Sequence, residues 1–154
     1  RKLEQGEYQA IILAAAGLKR LGLEHRIRAY LPTDPYTPAA GQGALGIETL
    51  RHHPQIYQWL APLTDWATLY AVSAERMVSR QLGGSCEVPL AAHAAWQAEQ
   101  LELRAFVASS DGTQFCQAQG SSTVSSVAQA EALGLAVAQD LIAQGAAELI
   151  PKPV

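Results

Sequence analysis

Charge is scarce in this sequence, and positive charge does not predominate. Asp, Glu, Lys and Arg make up 16% of the 154 residues, and the balance is a net charge of −3. A chain without a basic excess has no general electrostatic grip on nucleic acid. Long apolar runs are missing too: stretches such as Ala10–Leu18 fall far short of the roughly 20 residues that cross a bilayer. Neither nucleic acid nor membrane is therefore expected as a partner. Cysteine is limited to Cys86 and Cys116, which have no metal-type spacing and allow at most one disulfide. No metal site is expected, and in a reducing compartment both should be free thiols. No charged-then-apolar segment with a small-residue cleavage site opens the sequence, so the expected location is cytoplasmic. Methionine is absent from position 1. The chain opens Arg1-Lys2-Leu3 and runs at once into apolar residues, which reads as the middle of a longer protein.

What is present is apolar: 49% of the residues, enough for one ordinary domain or two small ones with a real core. Tyr8–Ala15 (YQAIILAA) is a short continuous apolar run, the pattern of a strand covered on both faces. Gly17-Leu18-Lys19-Arg20 follows as a turn or short helix. Lys19 and Arg20 suit an anion at the end of such a strand, although a solvated basic pair is the simpler reading of the spacing alone. Pro32, Pro35 and Pro38 then punctuate a connection.

After it comes GQGALG, Gly41 to Gly46, which has the G-x-G-x-x-G spacing of a dinucleotide turn. That motif requires a strand before it and a helix opening after it. A proline-rich connection precedes it here and ALGIE, a possible strand start, overlaps it, so a glycine-rich hinge is the better reading. His52 and His53 are sequence neighbours before a proline and read as a surface pair.

Trp66, Leu69, Tyr70, Met77 and Val78 recur at three- and four-residue steps, which predicts a helix from about Asp65 to Leu82 that stops at Gly83-Gly84. Glu87–Ala94 is a candidate strand. Leu101, Leu103, Ala105 and Val107 alternate with Glu102, Arg104 and Phe106, the period of a half-buried strand. Asp111-Gly112 predicts a tight hairpin turn, with Thr113–Gln119 returning as the next strand. Ser126 followed by Gln129 resembles a capping box at the start of a helix that Gly145 ends. Helix, three antiparallel strands and helix predict an α+β domain, with its helices on one face of the sheet.

The stretch richest in chemistry is LGGSCEVP, Leu82 to Pro89. Two glycines and a serine before Cys86 remove bulk near the sulfur and leave backbone N–H groups free to favour the reactive thiolate. A sulfur nucleophile also forms stable thioethers with carbon electrophiles. Glu87 would oppose the thiolate if it pointed inward. A small buried hydrophobe in a turn remains the ordinary reading of a free cysteine. Cys116 lies within a strand and reads as structural. His93 is a half-exposed strand residue that could orient a group near Cys86.

Taken together, Tyr8–Ile27 (YQAIILAAAGLKRLGLEHRI), Leu31–Glu48 (LPTDPYTPAAGQGALGIE), Glu75–Ala94 (ERMVSRQLGGSCEVPLAAHA) and Arg104–Gly112 (RAFVASSDG) resemble the porphobilinogen deaminase family, also called hydroxymethylbilane synthases. The resemblance implies a transferase that joins four porphobilinogen units into a linear tetrapyrrole and releases ammonia. It implies a dipyrromethane cofactor held by a thioether on Cys86. A serine, Ser85, stands where many members have glycine before that cysteine. By the same resemblance, Arg20 pairs with pyrrole acetate and propionate groups, and Gly17 places backbone close to the cofactor. Gln42 and Gly43 lie near the cleft, in the connection between lobes.

The implied domains are the tail of a second α/β domain at 1–38, a hinge and return segment to the first domain at 39–64, and a C-terminal cofactor-carrying domain at 65–154. No catalytic residue is carried onto this segment, because the family's proton-handling aspartate matches nothing in it. The remaining partners implied are N-terminal domains of the same protein, with a monomer expected at full length. The 154 residues alone are expected to be inactive. Three other readings are a non-catalytic α+β module that binds a ligand or partner, in which an exposed Trp96 would take part, a thiol enzyme using Cys86 directly, and a dinucleotide binder.

Overall fold

The computed structural model describes residues 1–84 and 88–150, which fall into two compact units, Arg1–Pro32 and the residues from Thr33 onward. The first unit contains helix α1, Ala15–Arg20, and a 3-10 turn at Glu24–Arg26. The strand expected over Tyr8–Ala15 does not form; Ile12 there is 82% exposed. A strand covered on both faces depends on neighbouring strands for its ladder bonds and on apolar cover for its side chains. No strand of this unit supplies either among the described residues. Gly17-Leu18-Lys19-Arg20 does take the short helical form expected.

The second unit runs through helix α2 (Pro54–Leu60), a 3-10 turn (Ala61–Leu63) and helix α3 (Trp66–Gln81). Strands β1 (Leu90–Gln97), β2 (Gln100–Ala108) and β3 (Phe115–Ser122) follow, then helices α4 (Val127–Ala143) and α5 (Ala146–Leu149). The sheet is antiparallel in the order β1-β2-β3, with Leu103 of β2 opposite Ala94 and Gly120. This is the α+β arrangement that the periodicities predict.

Each element has a local cause. Asp65 caps α3 by accepting the Thr68 N–H at 2.7 Å, and that bond holds its carboxyl below the usual aspartate range. Ser126 Oγ accepts the Gln129 N–H at 3.3 Å to cap α4. The Gln129 side chain reaches back to the Ser125 N–H at 2.7 Å, one residue earlier than in the standard capping box. Along β2, Leu101, Leu103, Ala105 and Val107 are all buried, as their alternation requires. They meet Ala74 and Val78 of α3 and Val137 and Leu141 of α4 in one core. Burial of each large aliphatic side chain contributes about 1.5–3 kcal/mol, so these two stripes and one strand face fix the layer.

Three expectations are corrected in detail. The first strand begins at Leu90, later than Glu87. The turn at Asp111-Gly112 is not a tight two-residue hairpin, since residues 109–114 separate β2 from β3. Trp96 is half-buried against the core and donates its indole N–H to the Ala67 carbonyl at 3.1 Å. A buried indole needs such an acceptor, so Trp96 is not the exposed side chain that was expected.

Asp111 organises its loop by accepting from Ser109 Oγ at 2.6 Å, Thr113 Oγ1 at 2.9 Å and the Thr113 N–H at 3.1 Å. These donors, the Ser109 hydroxyl first, favour the ionised form and lower its pKa from 3.8 to about 2. The folded value lies below the unfolded one. Its contribution to stability is therefore complete above the unfolded value and is lost as pH falls through about 2. An NMR titration of the Asp111 carboxyl should give a midpoint near that lowered value; a midpoint at 3.8 would mean the donors do not hold it.

Candidate functional site

The approach to Cys86 is set by the way α3 ends. Leu82 closes the helix, Gly83 turns into the left-handed region at φ 68°, and the Gly84 N–H donates back to the Ser79 carbonyl at 2.7 Å. The Gly83 N–H reaches Arg80 O at 3.5 Å, which completes a Schellman stop. A Cβ on Gly84 would lie 1.9 Å from Ser79 Oγ and 2.8 Å from its carbonyl oxygen. Both glycines are thus required by the helix end itself, whatever room they leave for sulfur chemistry. Residues 85–87, and with them Cys86, lie outside the described residues. The chain is described again at Val88 and Pro89, and it enters β1 at Leu90.

Cys116, the other thiol, is buried in β3, and its Sγ donates to the Gln144 carbonyl at 3.5 Å. That is a packing role, as expected.

Gly17 and Arg20 belong to the first unit. Gly17 is exposed within α1, with nothing inside 4 Å of where a Cβ would stand. Arg20 is exposed in the last turn of α1 and makes no ion pair among the described residues. Its neighbour Lys19 is engaged, with Nζ 3.4 Å from Glu24 Oε1 and 5.3 Å from the Tyr30 ring centroid. Glu24 raises the Lys19 pKa by hydrogen bond and charge. Of the basic pair, only Lys19 is engaged in an ion pair among the described residues.

Gln42 and Gly43 belong to the second unit and are exposed in a turn where the Gln42 N–H approaches Ala39 O at 3.4 Å. Among the described residues of this unit no strand precedes GQGALG and no helix opens before Pro54. Gly43, Leu45 and Ile47 form one wall of an open cavity of about 1170 Å³ whose other wall comes from α2 and α3. It is mainly apolar, and Arg76 is the one cationic residue among the described residues that line it. His52 and His53 are both exposed. Among the described residues no three His, Cys, Asp or Glu side chains converge as metal ligands, and no helix is long and apolar enough to cross a membrane.

One residue was not read from the sequence. Glu75 is the sole buried charged side chain among the described residues, at 4% exposure. Its Oε2 accepts the Gly41 N–H at 2.7 Å and its Oε1 the Ala94 N–H at 2.8 Å, with His93 Nδ1 3.7 Å away. A signal was available: Glu75 sits on the same helical stripe as Ala71, Val78 and Leu82, where an apolar side chain would be ordinary. His93 thus faces a carboxylate of α3.

Comparison with known proteins adds the following. A family model described as "Porphobilinogen deaminase, dipyromethane cofactor binding domain" matches residues 1–58, and one described as "Porphobilinogen deaminase, C-terminal domain" matches residues 69–143. The first stretch contains Gly17, Arg20, Gln42 and Gly43; the second contains Cys86. The porphobilinogen deaminase of Burkholderia vietnamiensis is 58% identical over 149 residues, which cover 97% of this chain and 45% of that protein. The porphobilinogen deaminase of Ralstonia nicotianae is 56% identical over 150 residues, with the same shares covered. The chain therefore spans somewhat under half the length of these curated relatives.

Proposed function

Because the chain belongs to the porphobilinogen deaminase family, we propose that it forms part of an enzyme joining four porphobilinogen units into hydroxymethylbilane with loss of ammonia. The observation that carries this reading is the pair of family matches, in order along the chain, which together reach from residue 1 to residue 143. Cys86 holds a dipyrromethane through a thioether. When bound, that group supplies the pyrrole carbon onto which the first substrate is joined. Taken one unit at a time, the residues present suit it: an exposed guanidinium on Arg20 and an open backbone at Gly17 in the first, and a fixed helix end just before Ser85-Cys86 in the second.

The residues then divide the work. Arg20 binds pyrrole acetate or propionate bidentately, a geometry that suits a planar guanidinium. Gly17 leaves room for a flat ring against backbone. Gln42 and Gly43 form a wall of the cleft at the connection between lobes. Proton transfer is assigned to a carboxylate outside these residues, so the 154 residues alone should turn over no porphobilinogen. The whole protein is read as cytoplasmic and monomeric, acting on a small molecule without nucleic acid or membrane.

The test is a chimera in which this chain replaces its matching 149 residues in the Burkholderia vietnamiensis protein. It should consume porphobilinogen, and a folded but inactive chimera would contradict the reading. Within it, Arg20→Ala should lower kcat/KM roughly 10- to 100-fold, the scale of a charged hydrogen-bonded pair at about 1.5–3 kcal/mol. Arg20→Lys should recover only part of that, because an ammonium cannot bind in the bidentate way. An unchanged kcat/KM in Arg20→Ala would remove Arg20 from the site.

A further inference from the structure

Glu75 has no part in the chemistry above, yet it is held like a functional group. A carboxylate leaves water at a cost of several kcal/mol unless donors replace the solvent. Its two donors come from two other parts of the unit: Gly41 in the connection and Ala94 in β1. The Pro38 carbonyl takes the Ala92 N–H at 3.0 Å. Ala92 and Ala94 are alternate residues of β1, which pairs with β2 on one side only, so their N–H groups point to its free edge. The carbonyl of Pro38 and the carboxylate of Glu75 therefore occupy successive positions along that edge. Farther back, Asp34 pairs with Arg104 of β2. Past Gly41 the bonding changes: Gln42, Gly43, Leu45 and Gly46 are exposed, and among the described residues no hydrogen bond ties them to α3 or β1.

We infer that Glu75 is a positioning residue that fastens the connection to the C-terminal domain. Residues 34–41 then move with α3 and β1, the two elements that bracket residues 85–87, and the pivot lies beyond Gly41, within Gln42–Gly46. The same carboxylate ties α3 to β1 and so fixes the frame from which Cys86 is presented. The inference rests on reading residues 39–64 as a connection between lobes. It places the flexing point later than the start of that segment.

Amide hydrogen exchange on the whole chain tests it. In the parent, Gly41 should be protected to the level of Ala94, while Gly43 and Leu45 exchange freely. A Gly41 amide that exchanges as fast as Gly43 would overturn the inference without any variant. Glu75→Gln keeps the volume but cannot accept from both N–H groups. It should speed exchange at Gly41 or Ala94 roughly 10- to 100-fold, and leave Leu103 and Val137 unchanged. Equal acceleration at all these amides, or none at Gly41 and Ala94, would mean Glu75 is ordinary core. The mass of Cys86 in the chimera is read separately, so failure of the latch and failure of the deaminase reading are distinguishable.

Discussion

The Cys86→Ser chimera is expected to carry no added mass and to form no tetrapyrrole. A thiol can populate its thiolate near neutral pH, and sulfur makes a durable bond to an electrophilic methylene carbon. A serine hydroxyl at the same place remains un-ionised and does not make that bond. The loss should be complete, because without an anchored primer the growing chain has no attachment. Cys116→Ser is the matched control. Its sulfur is buried against α4 and bonded to the Gln144 carbonyl, so the change should lower stability somewhat and leave attachment intact. Turnover that survives Cys86→Ser but fails in Cys116→Ser would reverse the assignment of the two thiols.

Gly134→Ala should destabilise the second unit by about 2–3 kcal/mol, within the usual range for overpacking. On an isolated helix the same change would help by up to about 1 kcal/mol, since alanine is the better helix former. Packing decides the sign here. A Cβ at position 134 would stand 2.3 Å from the Ala74 carbonyl oxygen and 2.7 Å from Met77 Cβ. That oxygen is helix backbone and cannot swing away as a long side chain could. Helices α3 and α4 must therefore part, and the contacts of Val78, Val137 and Leu141 loosen with them. Urea unfolding should show a lower midpoint with an unchanged slope. A variant as stable as its parent would mean the two helices do not approach this closely.

The parts of this fold that could be read from the sequence are those where one physical rule acts alone. The period of two in Leu101, Leu103, Ala105 and Val107 located β2 and its buried face. The helical spacing from Trp66 to Val78, with an aspartate before it and a glycine pair after it, located α3 closely. Where two rules compete, the reading failed. The apolar run Tyr8–Ala15 has a strand's composition, but strand pairing is a property of neighbours and not of the run. The turn between β1 and β2 is made by Ala98-Glu99, with Ala98 at φ 52°, and carries none of the glycine or asparagine that usually marks such a turn. The role of Glu75 is not legible in the sequence because its donors, Gly41 and Ala94, are brought to it only by folding. The thioether role proposed for Cys86 does not follow from its local sequence either. Gly83 and Gly84 answer the geometry of a helix end, and only the joint resemblance of several stretches attached a chemistry to the cysteine they precede.

The central claim is that this chain presents a dipyrromethane on Cys86, and the most direct measurement is the intact mass of the chimera followed by a peptide map across Arg80–Arg104. The account predicts a gain of two pyrrole units, localised to Cys86 and absent from the Cys86→Ser chimera. A folded chimera whose Cys86 has no added mass and is freely alkylated would contradict it.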